Sequence, residues 1–228
     1  MNDLHGILIT IAQSLPGFLM AIVVHEAAHA WMANRFGDPT AKNQGRLTLN
    51  PMVHYDPVGT LFLPIFAIFF NFAVIGWARP VPIETRNFKE YRKGLFWVSF
   101  AGPLSNVILG IISAMVLALI ATQVSPDWEF YAISLRMLRY SIFINFFLAV
   151  FNLIPLPPLD GSKMVSTFLS GHTLRRYEEL ARFTPLFFIV LFALSYMGVH
   201  IFGYLLQPAN WLANFFMFSF LSLFGGLG

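Results

Sequence analysis

The strongest constraint on this chain is a series of apolar stretches too long to hide in a soluble particle, at about 6–34, 94–122, 136–155, 184–206 and 209–226. A hydrocarbon core about 30 Å thick takes roughly 20 helical residues to cross, so each is long enough, or nearly so, to span it. A sixth stretch, about 58–77, contains Pro64 and Asn71 and ends at Gly76. Charged residues make up only 11% of the 228 residues, far below the roughly one quarter usual in soluble domains. A domain of this size cannot bury so much apolar surface in water. The expected fold is an all-α polytopic membrane protein with five to six hydrophobic helices, forming one integral-membrane domain over 1–228 in the cell membrane. Its core is expected at about 6–165 and its C-terminal helices at about 184–226.

The formal charge of +3 is too small and scattered to predict a nucleic-acid partner. Membrane lipid is the expected surrounding. Cysteine is absent, which excludes disulfides, iron–sulfur clusters and thiol nucleophiles. Met1-Asn2-Asp3 lacks the basic start of a signal peptide, so the first helix is expected to be retained. The connectors at about 35–57, 79–93, 123–135 and 156–183 leave no room for an appended soluble domain of roughly 50 residues. Gly45-Arg46-Leu47-Thr48-Leu49-Asn50 alternates polar and apolar before Pro51. This predicts a short strand, paired in a small β-hairpin or sheet near residues 44–50.

Basic residues decide between topologies. If all six apolar stretches cross, the inner segments 35–57 and 123–139 carry 5 Lys/Arg and the outer connectors 9, which inverts the usual bias. If 58–77 instead dips in and returns, 12 lie inside and 2 outside, as the positive-inside rule requires. The stretch is therefore expected to be re-entrant or packed against the bundle.

His25-Glu26-Ala27-Ala28-His29 is an H-E-x-x-H on the first helix. Residues four apart stand one turn above each other, so both imidazoles face one point and can hold one Zn²⁺ per chain. Glu26 sits beside that point as a general base. Ionisable groups within a membrane span are costly and usually functional, which weighs against a pair of merely buried histidines. A catalytic zinc takes a third protein ligand, and the candidates are His5, His54, His172, His200 and the carboxylates. Asp160 stands out because it follows the Asn152-to-Leu159 stretch, where prolines end an apolar helix. With 58–77 not crossing, it falls on the same membrane face as the end of the first helix. The competing role for Asp160 is to cap a helix beginning near Ser162. His54, in a turn-rich stretch, reads as structural.

At this point the chain resembles the site-2 protease family of intramembrane zinc metalloproteases. The resemblance rests on His25-Glu26-Ala27-Ala28-His29, Ala101-Gly102-Pro103-Leu104-Ser105-Asn106, and Asn152 through Leu159-Asp160-Gly161. It extends to Gly45 through Pro51 and to Gly76-Trp77-Ala78-Arg79-Pro80-Val81-Pro82. It implies that His25, His29 and Asp160 bind zinc, with Glu26 as base. It also implies a three-helix catalytic core and a site within the membrane nearer the cytosol. The compact length is similar to the small bacterial or archaeal branch without PDZ or CBS modules.

The expected reaction is hydrolysis of peptide bonds in or near transmembrane segments of membrane protein substrates. Asn106 and Asn152, amides on otherwise apolar helices, are the expected oxyanion donors; interhelical hydrogen bonding is their alternative role. The strand at 45–50 is expected to capture an unwound substrate by β-strand addition. Two other classes stand beside the protease: a membrane metal-ion transporter, and a catalytically silent zinc-binding scaffold. A transporter gives no reason for a Glu between two ligating histidines and predicts further ligands along a pathway.

Overall fold

The computed structural model describes residues 4–69, 76–197 and 201–225. In chain order its helices are α1 (Leu4–Arg35), α2 (Thr40–Asn43), α3 (Pro51–His54), α4 (Leu63–Phe69), α5 (Tyr91–Gln123), α6 (Tyr131–Asn152), α7 (Asp160–Ser166), α8 (Gly171–Glu178), α9 (Thr184–Tyr196), α10 (Ile201–Leu205) and α11 (Gln207–Gly225). Among the described residues three helices, α1, α5 and α6, are long and apolar enough to cross a membrane. The apolar stretch 184–206 is divided between α9 and α10, with 198–200 outside the described residues.

Small residues let the three long helices meet closely, the usual device where lipid removes the hydrophobic drive between helices. A Cβ on Gly17 of α1 would lie 3.1 Å from the Ser141 Cα of α6, and one on Gly110 of α5 would lie 3.1 Å from the Phe146 ring. Phe18, Ala21 and Ile22 of α1 pack with Ile144, Phe147 and Leu148 of α6. Ala209 and Ala213 of α11 close the opposite side against Ala114, Leu117, Ile142 and Phe146.

The two described ends of the stretch 58–77 lie together, with 70–75 outside the described residues. Trp77 N–H donates to Gly59 O at 3.1 Å, and Thr60 Oγ1 donates to Trp77 O at 2.9 Å. Its two ends are thus tied together. Asn71 lies outside the described residues.

The expected β-hairpin near 44–50 is absent: no strand occurs among the described residues. Gly45, at φ +69°, ends α2 in the left-handed conformation, and Arg46 N–H reaches back to Ala41 O at 2.8 Å. The following backbone is satisfied by side chains instead of a ladder. Thr48 Oγ1 accepts from Asn50 N–H, Asn50 Oδ1 accepts from Met52 N–H, and His54 Nε2 donates to Thr48 O at 2.9 Å. The Arg46 guanidinium donates to Val53 O and Arg79 O. The polar–apolar alternation reflects Leu47 turned toward Ala30, Ala41 and Val81, not a paired strand.

Asp38 fastens the connector 76–87 to the end of α1. Its buried carboxylate accepts from Thr40 N–H and Oγ1, from Asn87 Nδ2 at 2.9 Å and from Glu84 N–H at 2.7 Å. Burial raises its pKa, but the bonds from Thr40, Asn87 and Glu84 outweigh that and hold the carboxyl below its ordinary value. A depressed carboxyl stabilises the fold above its unfolded pKa of about 4, and that contribution is lost as pH falls through the folded value. Asp38→Asn, which turns an amide toward a backbone donor, should cost about 2 kcal/mol at neutral pH. Denaturant unfolding in micelles should show the gap between wild type and variant narrowing below about pH 4; a gap independent of pH would contradict the assignment.

Candidate metal centre

His25 and His29 project from one face of α1 toward α5 and the start of α7. His25 Nε2 and His29 Nε2 lie 3.0 Å apart, and Asp160 Oδ2 lies 3.1 Å from the first and 3.2 Å from the second. These buried residues form a group of potential metal ligands. Nitrogen and oxygen ligands at about 2.0–2.1 Å from a tetrahedral zinc stand roughly 3.3 Å apart, so the triangle is close to the size such an ion needs.

The far side of each imidazole supports the same arrangement. His25 Nδ1 donates to Asn106 Oδ1 at 2.6 Å, and His29 Nδ1 donates to Val98 O at 2.6 Å. With the proton held at Nδ1, each Nε2 presents its lone pair to the common point. Gly102 of α5 permits the approach: a Cβ there would lie 2.5 Å from His29 Nε2 and 2.6 Å from His25 Nε2.

Asp160 reaches the histidines because the chain turns back sharply after α6. A Cβ on Gly161 would strike Leu153 O, so only glycine lets α7 begin against the end of α6. Asp160 is the first residue of α7. Its carboxylate serves the two histidines through Oδ2 and accepts from Lys163 Nζ at 3.2 Å through Oδ1, rather than capping the helix.

A cavity of about 760 Å³ opens onto this group and is lined in part by Glu26, Asn152, Pro80 and Lys163. Glu26 Oε2 accepts from Val81 N–H at 2.7 Å. Alternate N–H groups of the connector are engaged by the protein body: Trp77 with Gly59 O, Arg79 with His54 O and Val81 with Glu26. This two-residue period is that of extended chain, and the intervening Pro80 and Pro82 have no N–H to offer.

The structure brings His25, Glu26, His29, Asp160 and Asn152 to one cavity. Asn152 Nδ2 donates to Leu148 O at 3.0 Å. Asn106 stands behind His25. Its amide group is fully engaged, Oδ1 by His25 and Nδ2 by Ala21 O and Asn145 Oδ1, each at 3.0 Å, so the expected oxyanion donor has no hydrogen free for that task. His54 is buried within its loop, and His5 and His172 are exposed away from the site; His200 lies outside the described residues. Sequence reasoning missed Lys163, Val81 and Asn145. Asn145 carried the same signal as Asn106, an amide in an apolar helix.

Residues 122–192, which include Asp160, match peptidase family M50. The chain is 39% identical over 176 residues to a Bacillus subtilis protein named "Putative zinc metalloprotease YwhC", covering 76% of this chain and 77% of that one. It is 31% identical over 192 residues to "Putative zinc metalloprotease Rip2" of Mycobacterium tuberculosis, covering 83% of this chain and 70% of that one. No solved structure matches it. With the apolar helices and the His25–His29–Asp160 group, these similarities show that the chain belongs to peptidase family M50, the site-2 protease family of membrane zinc metalloproteases.

Proposed function

We propose that this chain is an intramembrane endopeptidase that hydrolyses peptide bonds in or near transmembrane segments of membrane proteins. His25, His29 and Asp160 would hold one zinc, and Glu26 would act as general base. The observation that carries this reading is the convergence of three ligand atoms within 3.0–3.2 Å of one another on the cavity that Glu26 also lines. Zinc held there supplies a Lewis acid for the scissile carbonyl and lowers the pKa of a water to about 7. Glu26 takes the proton of the attacking water and returns it to the leaving amine. The Val81 N–H fixes its carboxylate through Oε2. Asn106 positions His25, and Asn152 offers its remaining amide hydrogen to the developing oxyanion.

Substrate capture moves from residues 45–50 to the connector at 78–83. An unwound substrate segment would run along the edge facing away from the protein body. Pro80 and Pro82 make that edge an acceptor of substrate N–H groups rather than a donor. The connectors at 35–57, 79–93 and 156–183, the last containing Asp160, carry 12 of the 14 Lys/Arg, which supports a site nearer the cytosolic face. The whole of 1–228 acts as one membrane domain in this reading.

The test is reconstitution in vesicles with a panel of single-span substrates. Cleavage should stop with a zinc chelator and return with added zinc. Metal flux across the vesicle without cleavage of any substrate would overturn the proposal in favour of a transporter.

A further inference from the structure

Behind the metal ligands runs a chain of buried polar groups that the reaction itself does not use. Asn106 and Asn145 have no solvent exposure. From the metal side outward, His25 Nδ1 donates to Asn106 Oδ1 at 2.6 Å. Asn106 Nδ2 donates to Ala21 O and to Asn145 Oδ1. Asn145 Nδ2 donates to Ser141 O at 2.8 Å and lies 3.4 Å from Ser141 Oγ. Ser141 Oγ is in turn 3.0 Å from Ser113 Oγ.

An asparagine amide is nearly symmetric in shape, so only its partners decide which end is oxygen. At Asn106 the decision has a chemical consequence. With Oδ1 toward His25 the ring keeps its proton at Nδ1 and presents a bare Nε2 to the metal. With the amide turned over, an N–H₂ would face His25 Nδ1, drive the proton to Nε2 and remove that ligand. Two acceptors oppose the turn, Ala21 O and Asn145 Oδ1, and each would meet an oxygen if Asn106 flipped. Asn145 is itself oriented by Ser141 O, a backbone carbonyl that cannot turn. The fixed carbonyl therefore sets Asn145, Asn145 sets Asn106, and Asn106 sets the tautomer of His25.

We propose that Asn145 is a positioning residue of the metal centre, acting through Asn106 on the protonation site of His25. The proposal rests on the zinc-centre reading and adds a residue from α6 that touches neither metal nor substrate. It explains why an apolar helix holds a second buried amide, Asn145, that does not line the cavity.

The test compares zinc affinity, by competition with a chelating dye, in wild type, Asn145→Leu and Asn145→Asp purified in detergent. Leu removes the acceptor for Asn106, while Asp keeps one. The expected result is about a tenfold loss of zinc affinity for Asn145→Leu, with Asn145→Asp within about threefold of wild type. A packing role predicts the opposite order, because Leu suits an apolar core better than a carboxyl does. Wild-type affinity in Asn145→Leu, or a larger loss in Asn145→Asp, would overturn the proposal. A second measurement needs no variant. Nitrogen NMR of histidine-labelled, metal-free wild type should show His25 protonated at Nδ1, and a proton at Nε2 alone would overturn the proposal. Either failure leaves cleavage by the wild type untouched, so it is distinct from failure of the protease reading.

Discussion

Replacing Gly102 by alanine should abolish zinc binding while leaving a folded membrane protein. The added methyl would stand 2.5 Å from His29 Nε2 and 2.6 Å from His25 Nε2, at the point where the ligand atoms converge. Contacts that short force something to move, and here the imidazoles cannot withdraw freely. Each is held from behind, His25 by Asn106 and His29 by the Val98 carbonyl. Changes to groups that merely orient a ligand cost 10–100-fold in metal affinity. A methyl driven between the ligands should therefore cost more than about 100-fold. Zinc analysis after gel filtration, with a thermal melt to confirm folding, reads the result. Wild-type zinc content in Gly102→Ala would contradict the geometry.

Glu26→Gln should separate metal binding from catalysis. Glu26 is absent from the converging group of His25, His29 and Asp160, so its loss should leave zinc content unchanged. The glutamine carbonyl can still accept from Val81 N–H, which keeps the connector in place. What disappears is the proton acceptor. General-base catalysis contributes about 10²–10⁴-fold, so cleavage should fall by about 10³-fold.

The candidate group His25, His29 and Asp160 was legible in the sequence because local spacing and the family resemblance met there. The i,i+4 spacing of His25 and His29 is local and survives any tertiary arrangement. Asp160 lies 131 residues beyond His29; the sidedness of the basic connectors put it on the same expected face, and the family resemblance favoured a ligand over a helix cap. The count of Lys and Arg led to the expectation that 58–77 returns to its starting face, and among the described residues Trp77 contacts Gly59 and Thr60.

What was not legible depended on side-chain orientation and on local competition for backbone groups. The alternation at 45–50 has the period of a strand, but Thr48, Asn50 and His54 satisfy that backbone from within the loop. The extended segment lies instead at 77–83, where two prolines argue against an ordinary strand and where the alternate N–H groups find partners far along the chain. Asn106 was recognised as a residue with a purpose. Which end of its amide faces His25 depends on Ala21 and Asn145, and no spacing rule reveals that.

One paired measurement decides whether the metal centre cuts peptide bonds: zinc content and substrate cleavage of wild type and Glu26→Gln, each reconstituted in vesicles with the same single-span substrate. One zinc per chain is expected in both proteins, with cleavage in the wild type alone. Zinc lost with Glu26, or cleavage undiminished without it, would contradict a catalytic zinc served by Glu26.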